Sequence, residues 1–192
     1  HSMMAGIGRM LAEKGELPPF EDAYKDEDTA RLIWSSVTRF AINHKKWFRL
    51  FWDDADAQKA GFLRNGVILG QTWDGPIIEM KNDGMPVNYL APKEGAFAWL
   101  DGFSMPVGAT NIEQAYALIA ACYQPQNAGI QASLSGYNAT VKGVDHYISP
   151  IAKQAFNDAY PNDALEKLWW WPAESQWYAD LRAEFRDKFL AA

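Results

Sequence analysis

The sequence has few of the residues that would indicate a disulfide framework or a metal centre. Its 192 residues include one cysteine and three histidines. The lone cysteine, Cys122, cannot form an internal disulfide, and its small apolar neighbours predict a buried, inert thiol. The histidines are scattered along the chain, so no group of side chains has metal-ligand spacing. We therefore expect no metal and no other cofactor.

Positive charge is also scarce, with 18 lysines and arginines against 24 aspartates and glutamates. A net charge of -6 without a basic cluster argues against a phosphate-binding surface, so we expect no nucleic-acid partner. A cationic partner is easier to accommodate. The most apolar long run, Pro106 to Ala121, is interrupted by Asn111 and Glu113 and is too short and polar to span a bilayer.

The first ten residues, "HSMMAGIGRM", lack the charged start, apolar centre and cleavage site of an export signal. Residues 1–3 resemble the remnant of an expression tag. We therefore expect that any native export signal is missing from this sequence. A single cysteine fits a cytoplasmic protein and a disulfide-free periplasmic one equally well.

Apolar periodicity predicts two halves of different character. The first half alternates helix and strand in the manner of a parallel α/β sheet, with strands at Trp47–Trp52 and Val67–Trp73 and extended segments at 87–92 and 96–106. The second half is nearly all helix. The predicted helices are Met3–Lys14, one capped by Asp28 or Thr29, one from Asp53 or Asp54 to Leu63, Ile77–Lys81, Ile112–Tyr123, Gln126–Leu134, Pro150–Ala159, Asp163–Trp170 and Glu174–Leu190.

Aromatic residues are abundant: nine tryptophans, eight tyrosines and ten phenylalanines. Most are expected in the core, but two tryptophans have an aspartate beside them. Trp99 and Asp101 are two positions apart in an extended segment and share a face, while Trp73 and Asp74 end a predicted strand, where α/β proteins place ligand groups. An indole face attracts a cation and a carboxylate neutralises it, so the pairs predict half of a cation site. Alternatively, each tryptophan packs in the core and each aspartate caps a turn.

Motifs for catalysis are not matched. The segment "SLSGYN" lacks the G-x-S-x-G spacing of a nucleophile elbow, and "GIGRML" lacks the full glycine pattern of a nucleotide-binding loop. The acidic run "WDDADA" lacks the glycine and distal glutamate of a calcium loop and is interpreted as a helix cap. No nucleophile and base can be paired, so we predict no catalytic residue and no enzyme activity.

Four stretches carry a resemblance to a known family: "GVILGQTWDGP", "PVNYLAPKEGAFAWLDGFSMP", "NIEQAYALIAACYQPQNAGIQASLSGYN" and "YPNDALEKLWWWP". In their order and spacing the sequence resembles the later half of the extracellular solute-binding proteins of ABC importers, specifically the spermidine/putrescine-binding group. The resemblance runs over nearly all of the chain but covers only part of the family's usual length.

The resemblance implies an α/β fold of the type II periplasmic-binding-protein kind, in which two lobes are joined by hinge strands. Residues 1–92 would be the remainder of the second lobe, and residues 93–192 a hinge strand and helices that return toward a missing first lobe. Without that lobe the helices would expose apolar residues, and self-association as a homodimer is expected. These residues are Tyr116, Leu118, Ile119 and Ile130.

The resemblance also implies a binding site and a biological role. Trp73 and Trp99 would be aromatic walls, Asp101 an anchor for an ammonium group and Tyr137 a further contact. Asp74 is included among the ligand-binding residues because it adjoins Trp73. Trp171 is included because of the alignment around the tryptophan triplet. The ligand would be a polyamine such as spermidine or putrescine, the partner an ABC permease in the membrane, and the location the bacterial periplasm.

One departure from the family concerns the ligand. Family members often bring acidic residues to the cleft at the start of the helix that matches Met3–Lys14, where this sequence has "HSMM". Either those residues have been removed or the ligand is not a typical polyamine. The alternative function is a carbohydrate-binding or aromatic-rich protein-interaction module, because tryptophan faces also stack on sugars and exposed aromatics also bind proteins.

Overall fold

The chain crosses between two structural units four times in the computed structural model, which describes residues 2–192. Unit 1 contains the described residues up to Phe51, residues 92–98 and residues 167–192, and unit 2 contains residues 52–91 and 99–166. One crossing lies at Ala91/Pro92, beside the predicted division at residues 92 and 93. That division concerns the lobes of a longer protein and stays a prediction.

Helices dominate both units. Across residues 2–192 they are α1 (Ser2–Glu13), α2 (Glu27–Asn43), α3 (Ala55–Arg64), α4 (Asp74–Asn82), α5 (Ile112–Cys122), α6 (Pro125–Ser135), α7 (Pro150–Ala159) and α8 (Gln176–Ala191). Two short strands, β1 (Phe97–Ala98) and β2 (Trp169–Trp170), and three 3-10 turns complete the regular structure, the turns at Phe20–Tyr24, Lys45–Trp47 and Val144–His146.

Acidic caps determine where two of the helices begin. The Asp26 carboxylate accepts a hydrogen bond from the Thr29 backbone N–H at 2.8 Å and starts α2, two residues before the predicted cap. Asp54 accepts from the Ala57 N–H at 2.7 Å and starts α3. The interpretation of "WDDADA" as a helix cap is therefore confirmed.

The core of unit 1 lies between α2 and α8. Ile33, Trp34 and Val37 of α2 are buried, and Leu181 and Phe185 of α8 are buried in the same cluster. Burying a side chain of this size stabilises the folded state by about 1.5–3 kcal/mol. This pairing explains why α2 and α8, far apart in the sequence, hold the unit together.

The sheet consists of β1 and β2, which pair in parallel with Phe97 opposite Trp169 and Ala98 opposite Trp170. The structure is thus mostly helical with one small parallel sheet, which is consistent with an α/β fold. The predicted helix at Asp163–Trp170 is wrong, because residues 162–167 form turns and Trp169 and Trp170 pair with β1. Adjacent tryptophans suit a strand better than a helix, since their large rings fit a pleated surface.

The predicted strands at Trp47–Trp52 and Val67–Trp73 are wrong. Residues 48–52 and 67–73 have no ladder partner, and Ile68 and Leu69 are 95% and 89% exposed. A strand forms only where a neighbouring strand satisfies its backbone groups, and a short apolar run does not reveal whether one exists.

In unit 2, α4 is the central helix and packs against α3, α6 and α7. Its residues Ile77, Ile78 and Met80 are buried. In contrast, α5 buries none of its residues and packs on α6, so Cys122 is half-buried rather than buried as predicted. No helix within residues 2–192 combines the length and the hydrophobicity that a membrane span requires.

Candidate functional site

The site is built around the first residues of α4. Trp73 is the N-cap residue and Asp74 the first helical residue, three positions before the start of the helix predicted at Ile77–Lys81. The Trp73 backbone N–H donates to the Gln58 side-chain Oε1 at 2.9 Å. Gln58 lies on α3 and is only 2% exposed, so a buried amide fixes the point where α4 begins. Sequence reasoning missed Gln58, since a single glutamine among small residues carries no functional pattern.

Three tryptophans form a row beside this helix start. The Trp52 and Trp73 rings pack edge to face with centroids 5.2 Å apart. The Trp73 and Trp99 ring centroids are 6.3 Å apart, and the angle between the two ring planes is 63°. The Trp52 Nε1–H donates to the Gln71 backbone oxygen at 2.8 Å and locks the first ring in place. Trp73 and Trp99 are thus brought together as one continuous aromatic surface. Trp52 was missed because it was assigned to a strand.

Asp74 is half-buried, and both of its carboxylate oxygens are hydrogen bonded. Oδ1 accepts from the Gly75 N–H at 3.0 Å, and Oδ2 accepts from the Tyr160 hydroxyl at 2.9 Å and from Asn138 Nδ2 at 3.5 Å. Burial raises the pKa of the Asp74 carboxyl, and the hydrogen bonds from Tyr160 and Gly75 oppose that rise. The carboxylate is therefore incompletely compensated, which favours the approach of a cation.

Tyr137 lies directly over the start of α4. A Cβ on Gly75 would lie 2.6 Å from the Tyr137 ring, so only glycine leaves room for the ring at this position. Burial raises the pKa of the Tyr137 hydroxyl, and the negative charges of Asp74 and then Asp101 raise it further. Tyr137 therefore lies close to both predicted carboxylates.

Asp101 is exposed and follows Trp99 in an irregular segment. Within residues 2–192, neither Asp74 nor Asp101 forms an ion pair with a basic side chain. The two lysines on α3 and α4 are already paired: Lys59 with Glu79 at 3.2 Å and Lys81 with Asp158 at 2.9 Å. The two aspartates thus give the aromatic surface a negative charge that the described chain leaves without a counter-charge.

Trp171 lies in unit 1, whereas the other five predicted site residues lie in unit 2. Its ring stacks on Phe97 with centroids 4.7 Å apart and meets Trp169 edge to face. These contacts are sufficient to explain its position, and its role as a ligand contact stays a prediction. In the part of the chain that the structure describes, no three His, Cys, Asp or Glu side chains come together as a metal site.

A protein-family model matches most of this chain. The model of the family described as bacterial extracellular solute-binding protein matches residues 5–161.

Three curated relatives resemble parts of the chain. The spermidine/putrescine-binding periplasmic protein of Escherichia coli (strain K12) is 27% identical over 132 residues, which are 68% of this chain and 37% of that protein. The protein of the same name from Salmonella typhimurium (strain LT2) is 30% identical over 89 residues, 46% of this chain and 26% of the relative. Spermidine/putrescine-binding periplasmic protein 1 of Haemophilus influenzae is 35% identical over 66 residues, 34% of this chain and 18% of the relative. This chain thus spans at most 37% of the length of these relatives.

Proposed function

Because this chain belongs to the bacterial extracellular solute-binding protein family, we propose that it is the ligand-binding part of an importer for a polyamine or a related cationic molecule. The resemblance visible in the four sequence stretches is thereby confirmed at the level of the family. The relatives are named for binding spermidine and putrescine in the periplasm, and the proposal extends that ligand class and location to this chain. The proposal also includes an ABC permease as the membrane partner. It further includes that this chain comes from the second lobe of a type II periplasmic-binding-protein fold.

The observation that supports a cationic ligand is the pair of unneutralised carboxylates, Asp74 and Asp101, beside the Trp73, Trp99 and Tyr137 rings. An ammonium group gains from both partners, since a cation over an aromatic ring contributes about 0.5–1 kcal/mol when exposed and about 2 kcal/mol or more when desolvated. The methylene chain of a polyamine can cover the tryptophan row. A neutral sugar would also stack on the rings but would leave the carboxylate charges uncompensated, so the cation is the better fit.

The two carboxylates differ in what they can contribute. Asp101 is exposed, and ion pairs at exposed positions are typically worth about 0–1 kcal/mol. Asp74 is half-buried and poorly hydrated, so its attraction for an ammonium group is less weakened by water. We therefore assign Asp74 the larger share of the binding energy and Asp101 a role in attracting the cation.

The test is a titration of the chain followed by NMR chemical shifts and by tryptophan fluorescence, extended into the millimolar range so that weak binding is detected. Spermidine and putrescine are compared with 1,4-butanediol, which matches the putrescine chain without its charges, and with glucose. We expect saturable shifts at the start of α4 with both amines and none with the diol. Glucose binding without any response to amines would support the carbohydrate-binding alternative.

Matched variants sharpen the test. Asp74→Asn removes the half-buried charge at the start of α4, whereas Asp83→Asn removes an exposed charge from the cap at its other end. We expect the first variant to weaken spermidine binding and the second to retain it. Equal affinity in both variants would indicate attraction by the net charge alone and would contradict the proposed site.

A second copy of the chain is a further proposed partner. On α5, Tyr116 and Leu118 are exposed and Ile119 is half-buried, so the apolar face predicted for this helix is available for contact. Light scattering over a range of concentrations tests this proposal. Leu118→Glu is expected to shift the chain toward the monomer, and a concentration-independent monomer in the unmodified chain would refute pairing.

A further inference from the structure

The Asp74 carboxylate is held by side chains from distant segments of unit 2. Tyr160, the residue that ends α7, donates its hydroxyl proton to Oδ2 at 2.9 Å across a sequence separation of 86 residues. Asn138, in the segment after α6, approaches the same oxygen. The orientation of this carboxylate is thus fixed by tertiary contacts and not by the helix alone.

A second tyrosine packs beside Tyr160, with the Tyr89 and Tyr160 ring centroids 5.9 Å apart. A phenol has one proton to donate, and that of Tyr160 is directed at Asp74. The Tyr160 hydroxyl is therefore committed to the carboxylate.

The number of donors at Asp74 limits what else the carboxylate can accept. An ionised carboxylate offers about four acceptor positions. The Gly75 N–H, the Tyr160 hydroxyl and the more distant Asn138 amide occupy three of them. No side chain of the described residues other than Tyr160 and Asn138 donates to Asp74, so a further donor would have to come from outside residues 2–192.

We propose, building on the proposed function, that Tyr160 is a positioning residue that orients Asp74 so that the carboxylate accepts an N–H donor from the ligand. The site then selects ammonium groups that carry N–H bonds over quaternary ammonium groups. Both kinds of cation are attracted by the aromatic surface, but only the first can donate to Asp74.

The groups around Asp74 favour this assignment. The titratable side chains facing it are the three phenols Tyr89, Tyr137 and Tyr160. Burial raises the pKa of Tyr89 to about 12, and the Asp74 charge also raises it. All three phenols therefore stay protonated around neutral pH, and Asp74 is the group whose charge changes in the acidic range.

The decisive variant is Tyr160→Phe, which keeps the ring and removes the donor, with Tyr116→Phe on the exposed face of α5 as the matched control. The Tyr160 hydrogen bond lowers the pKa of Asp74, so its loss should raise that pKa further. Carbon-13 NMR of the Asp74 carboxyl measures the change without any ligand. Tyr116→Phe should leave the Asp74 pKa unchanged.

The second readout compares putrescine with its hexamethylated, doubly quaternary form. We expect the unmodified chain to prefer putrescine, and we expect Tyr160→Phe to reduce that preference by about 2- to 12-fold, the factor that corresponds to one net hydrogen bond. An unchanged Asp74 pKa or an unchanged preference in Tyr160→Phe would overturn this inference alone. Failure of the unmodified chain to respond to any amine would overturn the proposed function and the ligand selectivity with it, whatever the pKa result.

Discussion

The end of α6 approaches the start of α4 so closely that a side chain on Gly136 is expected to destabilise the protein. Gly136 ends α6 at φ +72°, in the left-handed region that glycine adopts without cost. A Cβ at this position would lie 2.5 Å from the Gly75 backbone oxygen and 3.1 Å from both the Gly75 Cα and the Ile78 Cβ. Gly136→Ala therefore introduces two separate penalties, one conformational and one steric.

The two penalties can be separated with Gly143→Ala. Gly143 has φ +78°, but a Cβ there meets nothing within 4 Å. The left-handed conformation alone costs a non-glycine residue about 1–2 kcal/mol. Overpacking against neighbours that cannot easily move costs about 1–3 kcal/mol more. We expect Gly143→Ala to lose about 1–2 kcal/mol of stability and Gly136→Ala about 2–5 kcal/mol.

Thermal unfolding followed by circular dichroism measures both variants. For a chain of this size, 1 kcal/mol corresponds to about 2–4 °C, so Gly136→Ala should melt about 2–12 °C below Gly143→Ala. Spermidine binding should also weaken more in Gly136→Ala, since Tyr137 follows directly and would be displaced from Gly75. Identical melting temperatures for the two variants would show that the close contact between α6 and α4 is absent in solution, and the site geometry would then be wrong.

Three further predictions concern the site side chains. Trp73→Ala and Trp99→Ala should each weaken spermidine binding more than Trp73→Phe and Trp99→Phe do, because the smaller ring keeps part of the stacking. Calorimetry measures the affinities, and equal losses for Ala and Phe would indicate that the tryptophan packs in the core. Asp101→Asn should cost only about 0–1 kcal/mol of spermidine affinity in the same measurement, because the side chain is exposed, and a larger loss would mean that ligand binding buries it. Gly75→Ala should push the Tyr137 ring aside and so lower the pKa of its hydroxyl, which an ultraviolet titration measures. The better helix propensity of alanine offsets about 1 kcal/mol of the resulting strain. An unchanged Tyr137 pKa would contradict the contact between Gly75 and the ring.

Helices with local end signals could be predicted from the sequence. The helix at Pro150–Ala159 has its predicted bounds, with the Ser149 hydroxyl accepting from the Ala152 N–H at 3.2 Å. The prediction of a cap at Asp53 or Asp54 is likewise confirmed. Capping is a contact between residues three positions apart, so the sequence contains all the information that it needs.

Strands could not be predicted in the same way. The run "VILGQTW" has the composition of a buried strand, yet Ile68 and Leu69 are exposed, while "WW" in a predicted helix forms β2. A strand depends on a partner that is distant in sequence: Phe97 pairs with Trp169. A short apolar run can form a strand, a helix or an exposed loop, and whether a neighbouring strand pairs with it decides which of these it forms.

The candidate site shows the same division between local and distant information. Trp73 and Asp74 are adjacent, and a tryptophan beside a carboxylate is a pattern that a single sequence displays. Gln58 and Tyr160, which hold these two residues in place, lie 15 and 86 positions from their partners. Gln58 lies in none of the four stretches that carry the family resemblance, and the stretch that begins with Tyr160 does not pair it with Asp74, so only the fold reveals these contacts.

At the start of α4, Asp74 combines a favourable helix position with an unfavourable degree of burial. An aspartate in the first turn of a helix is stabilised by the helix dipole by about 0.3–1 kcal/mol, and Gly75 and Tyr160 donate to it. Burial still outweighs these gains, because the pKa of Asp74 is raised. A residue present only to cap the helix would be equally effective in an exposed position without that cost. A positive charge outside the described chain, such as that of the proposed cationic ligand, would supply the remaining compensation.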